Sequence, residues 1–187
     1  MTEEEFETIP DYASEEARRG ILEMAKETEP QPCAVECCEH LIRNWCETVE
    51  DGNPLYLDEE YAKSRGFRGL IAQPGMIVST LTVPFRWPWP PKGHKPERNI
   101  HFDLKDLLGL PVGILVDWEV EYYEAIQVGD RLSTSGRLGS ISPWRKTRLG
   151  EGHFWTTETK YRNQSDQLVA RSVTTLFGYG REGGRPS

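Results

Sequence analysis

Four long runs in the second half of the chain, Ile114 to Tyr123, Arg131 to Ile141, His153 to Arg162 and Leu168 to Tyr179, constrain the fold more than any other feature. They are rich in β-branched and aromatic residues, and several alternate apolar with polar side chains. Alternation with period two turns one face of a strand to a core and the other to water, as in antiparallel sheets. Val128-Gly129-Asp130 and Asn163-Gln164-Ser165-Asp166 lie between the runs and carry the residue types that turns require. Consecutive long strands preceded by a region without them describe an α+β chain, in which a strand meander wraps helices that come earlier.

Those helices are read from a different rhythm. Glu15 to Lys26 places Ile21, Leu22 and Ala25 on one stripe behind Ser14, a fitting N-cap. Thr28 to Pro32 breaks the pattern. Val35 to Val49 is expected as a second helix, with Cys38, Leu41, Ile42, Trp45 and Val49 at helical spacing, and it hands the chain to Asp51. Asp58 is placed to cap a short helix through Lys63, and Gly66 and Gly69 punctuate the turn after it. Gly75 to Val83 is expected as a buried helix stopped by Pro84. From Pro84 to Pro111 the chain reads as a long loop that opens on Trp87-Pro88-Trp89-Pro90-Pro91, with room for a helical turn near Leu104 to Leu108. The whole is expected as one domain, 1–187, with 1–31 as a helical extension and 181–187 as a disordered Gly-rich tail.

Charge and composition exclude several functions. A net charge of -8 opposes nucleic-acid binding, which needs a basic surface. The most apolar stretch, Gly69 to Phe85, is interrupted by Gln73, Pro74, Ser79 and Thr80, so no membrane span is expected. The chain opens on acidic rather than basic residues, and a cytoplasmic location is the default expectation. Cys33, Cys37, Cys38 and Cys46 crowd into one region and lack paired knuckles, with Cys33 and Cys37 at helical spacing. They are expected to be reduced helix thiols, with no metal site. None of His40, His94, His101 and His153 completes a triad, and each is expected at the surface or in a cap.

The segment Asp51-Gly52-Asn53-Pro54-Leu55-Tyr56-Leu57-Asp58 resembles the active-site stretch of MaoC-like hotdog hydratases, which reads Asp-x-Asn-Pro-Leu-His. Asp51 stands at the Asp position and Tyr56 at the His position. Phe67 to Ala72, the Val128-Gly129-Asp130 turn and Tyr161-Arg162-Asn163-Gln164 resemble further signatures of the family from about Pro32 to Tyr179. Ala72-Gln73-Pro74-Gly75-Met76 departs from the usual Ala-His-Gly-Met. Both departures resemble the N-terminal half of two-part hydratases, a half that often lacks catalytic residues. The resemblance implies a hotdog fold: a long antiparallel sheet wrapped around a central helix, here with an extra N-terminal helix and the Trp/Pro-rich loop.

The resemblance also implies an activity, reversible addition of water to an enoyl thioester such as an acyl-CoA, without metal or organic cofactor. Hydration needs a base for water, a proton for the alpha carbon, and donors for the developing negative charge on the thioester oxygen. Asp51 is the candidate base. Tyr56 is its candidate catalytic neighbour, although a phenol titrating near ~10 is a poorer proton carrier at neutral pH than an imidazole near ~6.5. By resemblance Gly75 and Met76 would hold the thioester oxygen, and Asn53 and Gln73 would line the substrate. Each has a local alternative: Asp51 ending a helix and tightening its turn, Asn53 ordering the backbone, and Tyr56 as a core aromatic hydrogen-bonded to Asp51. Phe85, Phe102 and Trp87 to Pro91 would line an acyl pocket or pack at an interface. Lys92, Lys95 and Arg98, or Arg145, Lys146 and Arg148, would meet CoA phosphates or face solvent. Three functions are compatible with these residues: a hydratase or dehydratase subunit, a non-catalytic acyl-CoA-binding subunit beside a catalytic hotdog, and a hotdog thioesterase. A homodimer or heterodimer with another hotdog is expected, with no nucleic acid and no membrane.

Overall fold

The structure, a computed structural model, describes residues 9–82 and 99–180. The Trp87–Pro91 run, His94, the basic residues from Lys92 to Arg98 and the tail 181–187 lie outside the described residues. An antiparallel sheet runs in the order β1-β3-β5-β6-β2, built from β1 (Gln31–Glu36), β2 (Val112–Tyr122), β3 (Arg131–Ile141), β5 (Glu151–Arg162) and β6 (Leu168–Gly180). A two-residue strand, β4 (Arg145–Lys146), pairs with β5. The four expected runs are thus the four long strands. Val128-Gly129-Asp130 turns as expected, with Gly129 at φ 90°, where an L side chain would be strained, and the Asp130 carboxylate accepting the Gln127 N–H at 2.8 Å.

Side-chain parity explains how this sheet is covered. Leu132, Leu138, Trp155, Tyr161, Ala170 and Leu176 stand on one face, because Leu138 pairs with Thr157, Trp155 with Leu176 and Tyr161 with Ala170. At one end of that face Leu132, Tyr161 and Ala170 pack with Ile42, Cys46, Tyr56, Met76, Ile77 and Leu81. At the other end Leu138, Trp155 and Leu176 pack with Ile21, Met24, Leu104 and Leu108. Those partners come from α1 (Glu15–Ala25), α2 (Glu39–Val49), α3 (Pro54–Leu57), α5 (Met76–Ser79) and α6 (Ile100–Leu107), with Leu81 and Leu108 just past the ends of the last two. A further short helix, α4 (Glu59–Ser64), is capped by Asp58 as the sequence suggested, its carboxylate accepting the Tyr61 N–H at 3.0 Å. Ser14 caps α1 likewise.

Four expectations are corrected. The second helix begins at Glu39, and Gln31–Glu36 is the edge strand β1, paired with β3 through Gln31–Thr134, Pro32–Ser133 and Glu36–Arg131. Cys33 therefore lies on a strand, and its spacing to Cys37 is not helical. The helix expected over Gly75 to Val83 closes after Ser79, because the Leu81 N–H turns back to the Met76 carbonyl at 3.0 Å and the Thr82 hydroxyl donates to the Ile77 carbonyl at 2.6 Å. The long loop contains α6, which Asn99 caps through the Phe102 N–H and which buries Leu104. His153 is neither exposed nor a cap: it is 2% exposed in β5, against Ser142 O at 2.6 Å and the Tyr12 hydroxyl at 3.0 Å.

β2 is the outer strand on its side. Among the described residues it pairs only with β6, and Leu115 and Val116, at a register shift, are 63% and 48% exposed. No helix among the described residues is long and apolar enough to cross a membrane.

Candidate functional site

The geometry of the Asp51 turn is set by how α2 ends. Glu50 takes a left-handed conformation, φ 56°, and the Asp51 N–H reaches back to the Cys46 carbonyl at 2.9 Å. The Asp51 carboxylate then accepts the Asn53 N–H at 3.1 Å, and Asn53 accepts the Leu55 N–H at 3.0 Å as the N-cap of α3. Pro54 sits at the first helical position, where its missing N–H costs nothing. Both side chains therefore serve their own backbone. Asp51 also borders an open depression of about 390 Å³ with Arg43, Cys46, Glu47, Glu50, Gly52 and Leu57.

Tyr56 lies beneath this turn, 8% exposed within the first core cluster. Burial, then the nearby Asp51 charge, then Cys46 push its hydroxyl above the ordinary phenol value, so it stays protonated at neutral pH. The expected Tyr56–Asp51 hydrogen bond is not formed among the described residues, since Asp51 turns to Asn53 instead. The influence of Asp51 on Tyr56 is through space.

The second expected element is closed from within. Gln73 Oε1 accepts the Gly75 N–H at 2.6 Å and the Trp45 indole N–H at 2.9 Å. The Gln73 backbone carbonyl accepts the Met76 N–H at 3.0 Å, and the Tyr122 hydroxyl donates to the Pro74 carbonyl at 2.7 Å. The N–H groups of Gly75 and Met76, to which the resemblance gave the thioester oxygen, thus both point at oxygens of Gln73. Sequence reading noted Gln73 and Pro74 as departures but gave no sign that Trp45, on another helix, would hold the amide in place. Asp51 borders the open depression and Gly75 does not.

The other candidates sort simply. Cys37 is fully buried, and burial, with Asp130 nearby, pushes its thiol up to about 12, so it is inert. Among the described residues no three metal-ligating side chains gather. Lys146 pairs with Glu151 at 2.8 Å, Arg145 and Arg148 are exposed, and His40 meets Asn44 on the outside of α2. Phe102 is 55% exposed on α6.

With this geometry in place the comparisons are informative. Residues 26–172 match the family described as FAS1-like, dehydratase domain region. The chain belongs to that dehydratase family. It is 34% identical over 148 residues to a probable enoyl-CoA hydratase alpha subunit of Thermomonospora curvata, covering 74% of this chain and 44% of that protein. The chain therefore spans less than half the length of that relative. Among solved structures, one from the ChsH1-ChsH2 complex of Mycobacterium tuberculosis superposes with a TM-score of 0.76 at 23% identity, over 91% of this chain and 100% of that one. The MaoC-like dehydratase of Rhodospirillum rubrum superposes with a TM-score of 0.54 at 20% identity, over 87% and 99%. At these identities the superpositions establish the fold, and the fold of this dehydratase-family chain is the MaoC-like hotdog.

Proposed function

We propose that this chain is the non-catalytic hotdog of a two-part enoyl-CoA hydratase, a subunit that helps hold an acyl thioester while a partner hotdog with an intact Asp and His adds or removes water. The Gln73 contacts carry this reading. An oxyanion donor must be free to meet charge as it develops, and the Gly75 and Met76 N–H groups are already satisfied by Gln73. The remaining two requirements fare no better in this chain: Asp51 orders its own turn, and Tyr56 is held neutral well above physiological pH. Two features of the relatives support the partner. One is named an alpha subunit and is more than twice as long as the stretch it shares with this chain, and another belongs to a two-component complex.

The alternative, an active subunit with Asp51 as base, draws on the open depression beside that carboxylate. Turnover of short and bulky enoyl-CoA esters separates the two. The reading expects no turnover by the chain alone, turnover on mixing with a hotdog that keeps the His, and an unchanged rate for the mixture made with Asp51→Asn. Turnover by the lone chain that Asp51→Asn abolishes would reverse the assignment.

A further inference from the structure

Of the two outer strands among the described residues, β2 offers the longer regular backbone. β1 is six residues long, carries Pro32 and shifts register between Pro32 and Glu36. On β2 the shift between Leu115 and Asp117 leaves Val116 without a ladder partner, and a bulge of this kind bends a strand and interrupts pairing. From Asp117 to Tyr122 every residue pairs with β6 in unbroken register. A strand laid along the open side of β2 is therefore steered to residues 117–122.

The outer face of the sheet, opposite the helices, alternates in charge on the way to that stretch. Arg137 on β3 meets Glu158 on β5 at 2.7 Å, Glu158 also holds Arg171 on β6 at 2.5 Å, and Arg171 lies opposite Glu121 on β2. The parity that puts Glu121 on this face puts Glu119 there opposite Val173 and Asp117 opposite Thr175. Three exposed carboxylates thus stand at alternate positions along the edge, and β2 contributes no Lys, Arg or His of its own. The cation that would continue the alternation belongs on a strand laid alongside.

A second copy of this chain is the wrong occupant. Two copies paired antiparallel about a two-fold axis over residues 117–122 set carboxylate across from carboxylate in every register: Asp117 or Glu119 from itself, Asp117 from Glu119, or Glu119 from Glu121. Side chains so opposed have Cβ atoms about 4.5–5.5 Å apart, inside the screening length of about 8 Å at physiological ionic strength, and like charges there oppose pairing. Leu115 and Val116, on the other side of the bulge, can still bring copies together. Such contact continues no ladder, so it fixes no register and closes no dimer.

We infer that Asp117, Glu119 and Glu121 choose the mate of this subunit: β2 accepts an antiparallel strand from an unlike chain that carries Lys or Arg at the facing positions, and refuses the same strand of a second copy. The inference rests on the proposal of a partner hotdog and adds the rule by which that partner is told from self. It is specificity by repulsion as well as by attraction, since the row that attracts a basic strand is the row that rejects its own kind.

A charge-reversed copy of the chain is the probe. The variant combines Asp117→Lys and Glu119→Lys with Glu121→Gln, the last chosen so that no second cation is set opposite Arg171. Sedimentation velocity at low salt is run on the full-length parent, on the variant and on their equimolar mixture, with thermal melts to confirm that the variant is folded. Neither chain alone is expected to give a discrete dimer. The mixture is expected to give one at least about tenfold tighter than either self-pairing, with slowed hydrogen exchange at the amides of 117–122 and a marked loss of dimer near 1 M salt. A mixture that dimerises no better than the parent, or a mixed dimer that leaves those amides exchanging as before, overturns the inference. So does a discrete dimer of the parent alone that protects them, and that measurement stands whatever the variant does. Each of these results leaves the two-part hydratase reading intact, because that reading is decided separately by turnover on mixing with a hotdog that keeps the His.

Discussion

Replacing Gln73 tests the closed Gly75 loop directly. Its amide oxygen accepts two hydrogen bonds, from the Gly75 N–H at 2.6 Å and the Trp45 indole at 2.9 Å, in a half-buried setting. Gln73→Ala leaves both donors without that acceptor, and an unmade hydrogen bond at a buried donor costs about 1–3 kcal/mol. Because water has partial access, the lower part of that range applies to each, giving about 2 kcal/mol in total. For a domain of this size that corresponds to a fall in Tm of roughly 4–8 °C. Gln73→Glu keeps an acceptor in place and is expected to stay within about 0.5 kcal/mol of the parent. Urea unfolding of the parent and the two variants measures this. If Gln73→Ala matched the parent and Gln73→Glu did not, the Trp45–Gln73–Gly75 contacts would be incidental, and the Gly75 N–H could not be regarded as shut by them.

Three further outcomes are expected. Burial alone would raise the Glu158 pKa, but hydrogen bonds and charge from Arg171 and Arg137 outweigh it and hold the group below its ordinary 4.5. A depressed folded pKa stabilises above the unfolded value, so the parent should lose stability as pH falls below about 4.5, and Glu158→Gln should lose less over the same interval in urea titrations. Cys37, fully buried with its thiol near 12, should resist iodoacetamide at pH 8 in the folded chain and react once urea unfolds it, as read by mass spectrometry. Glu50 ends α2 at φ 56°, so Glu50→Gly should raise stability by about 0.5–1 kcal/mol in the same urea assay.

How much of the fold and the site was legible in sequence depended on whether a residue's neighbours were local. The long strands declared themselves because period-two alternation is a property of each run alone. Ser14, Asp58 and the Gly129 turn did so because caps and turns act within three residues. β1 escaped notice because Gln31–Glu36 has little alternation of its own and is a strand only by pairing with β3, with Pro32 tolerated at the sheet edge. α6 was hidden behind the proline-rich stretch before it, although Asn99 as a cap with Ile100, Leu104 and Leu107 on one stripe was a readable signal. At the site the turn from Asp51 to Tyr56 was read in the right place. What Gln73 does there depends on Trp45, 28 residues earlier on another helix, and no spacing rule reaches that far.

The outer strand β2 has a practical consequence. Among the described residues one side of its backbone is unpaired and offers amides and carbonyls to whatever comes alongside, and Leu115 and Val116 make that margin sticky. Produced without a neighbour to cap it, the chain should self-associate along this margin and drop out of solution. Co-production with the partner hotdog proposed above should then reveal itself first as improved yield, before any chemistry is assayed.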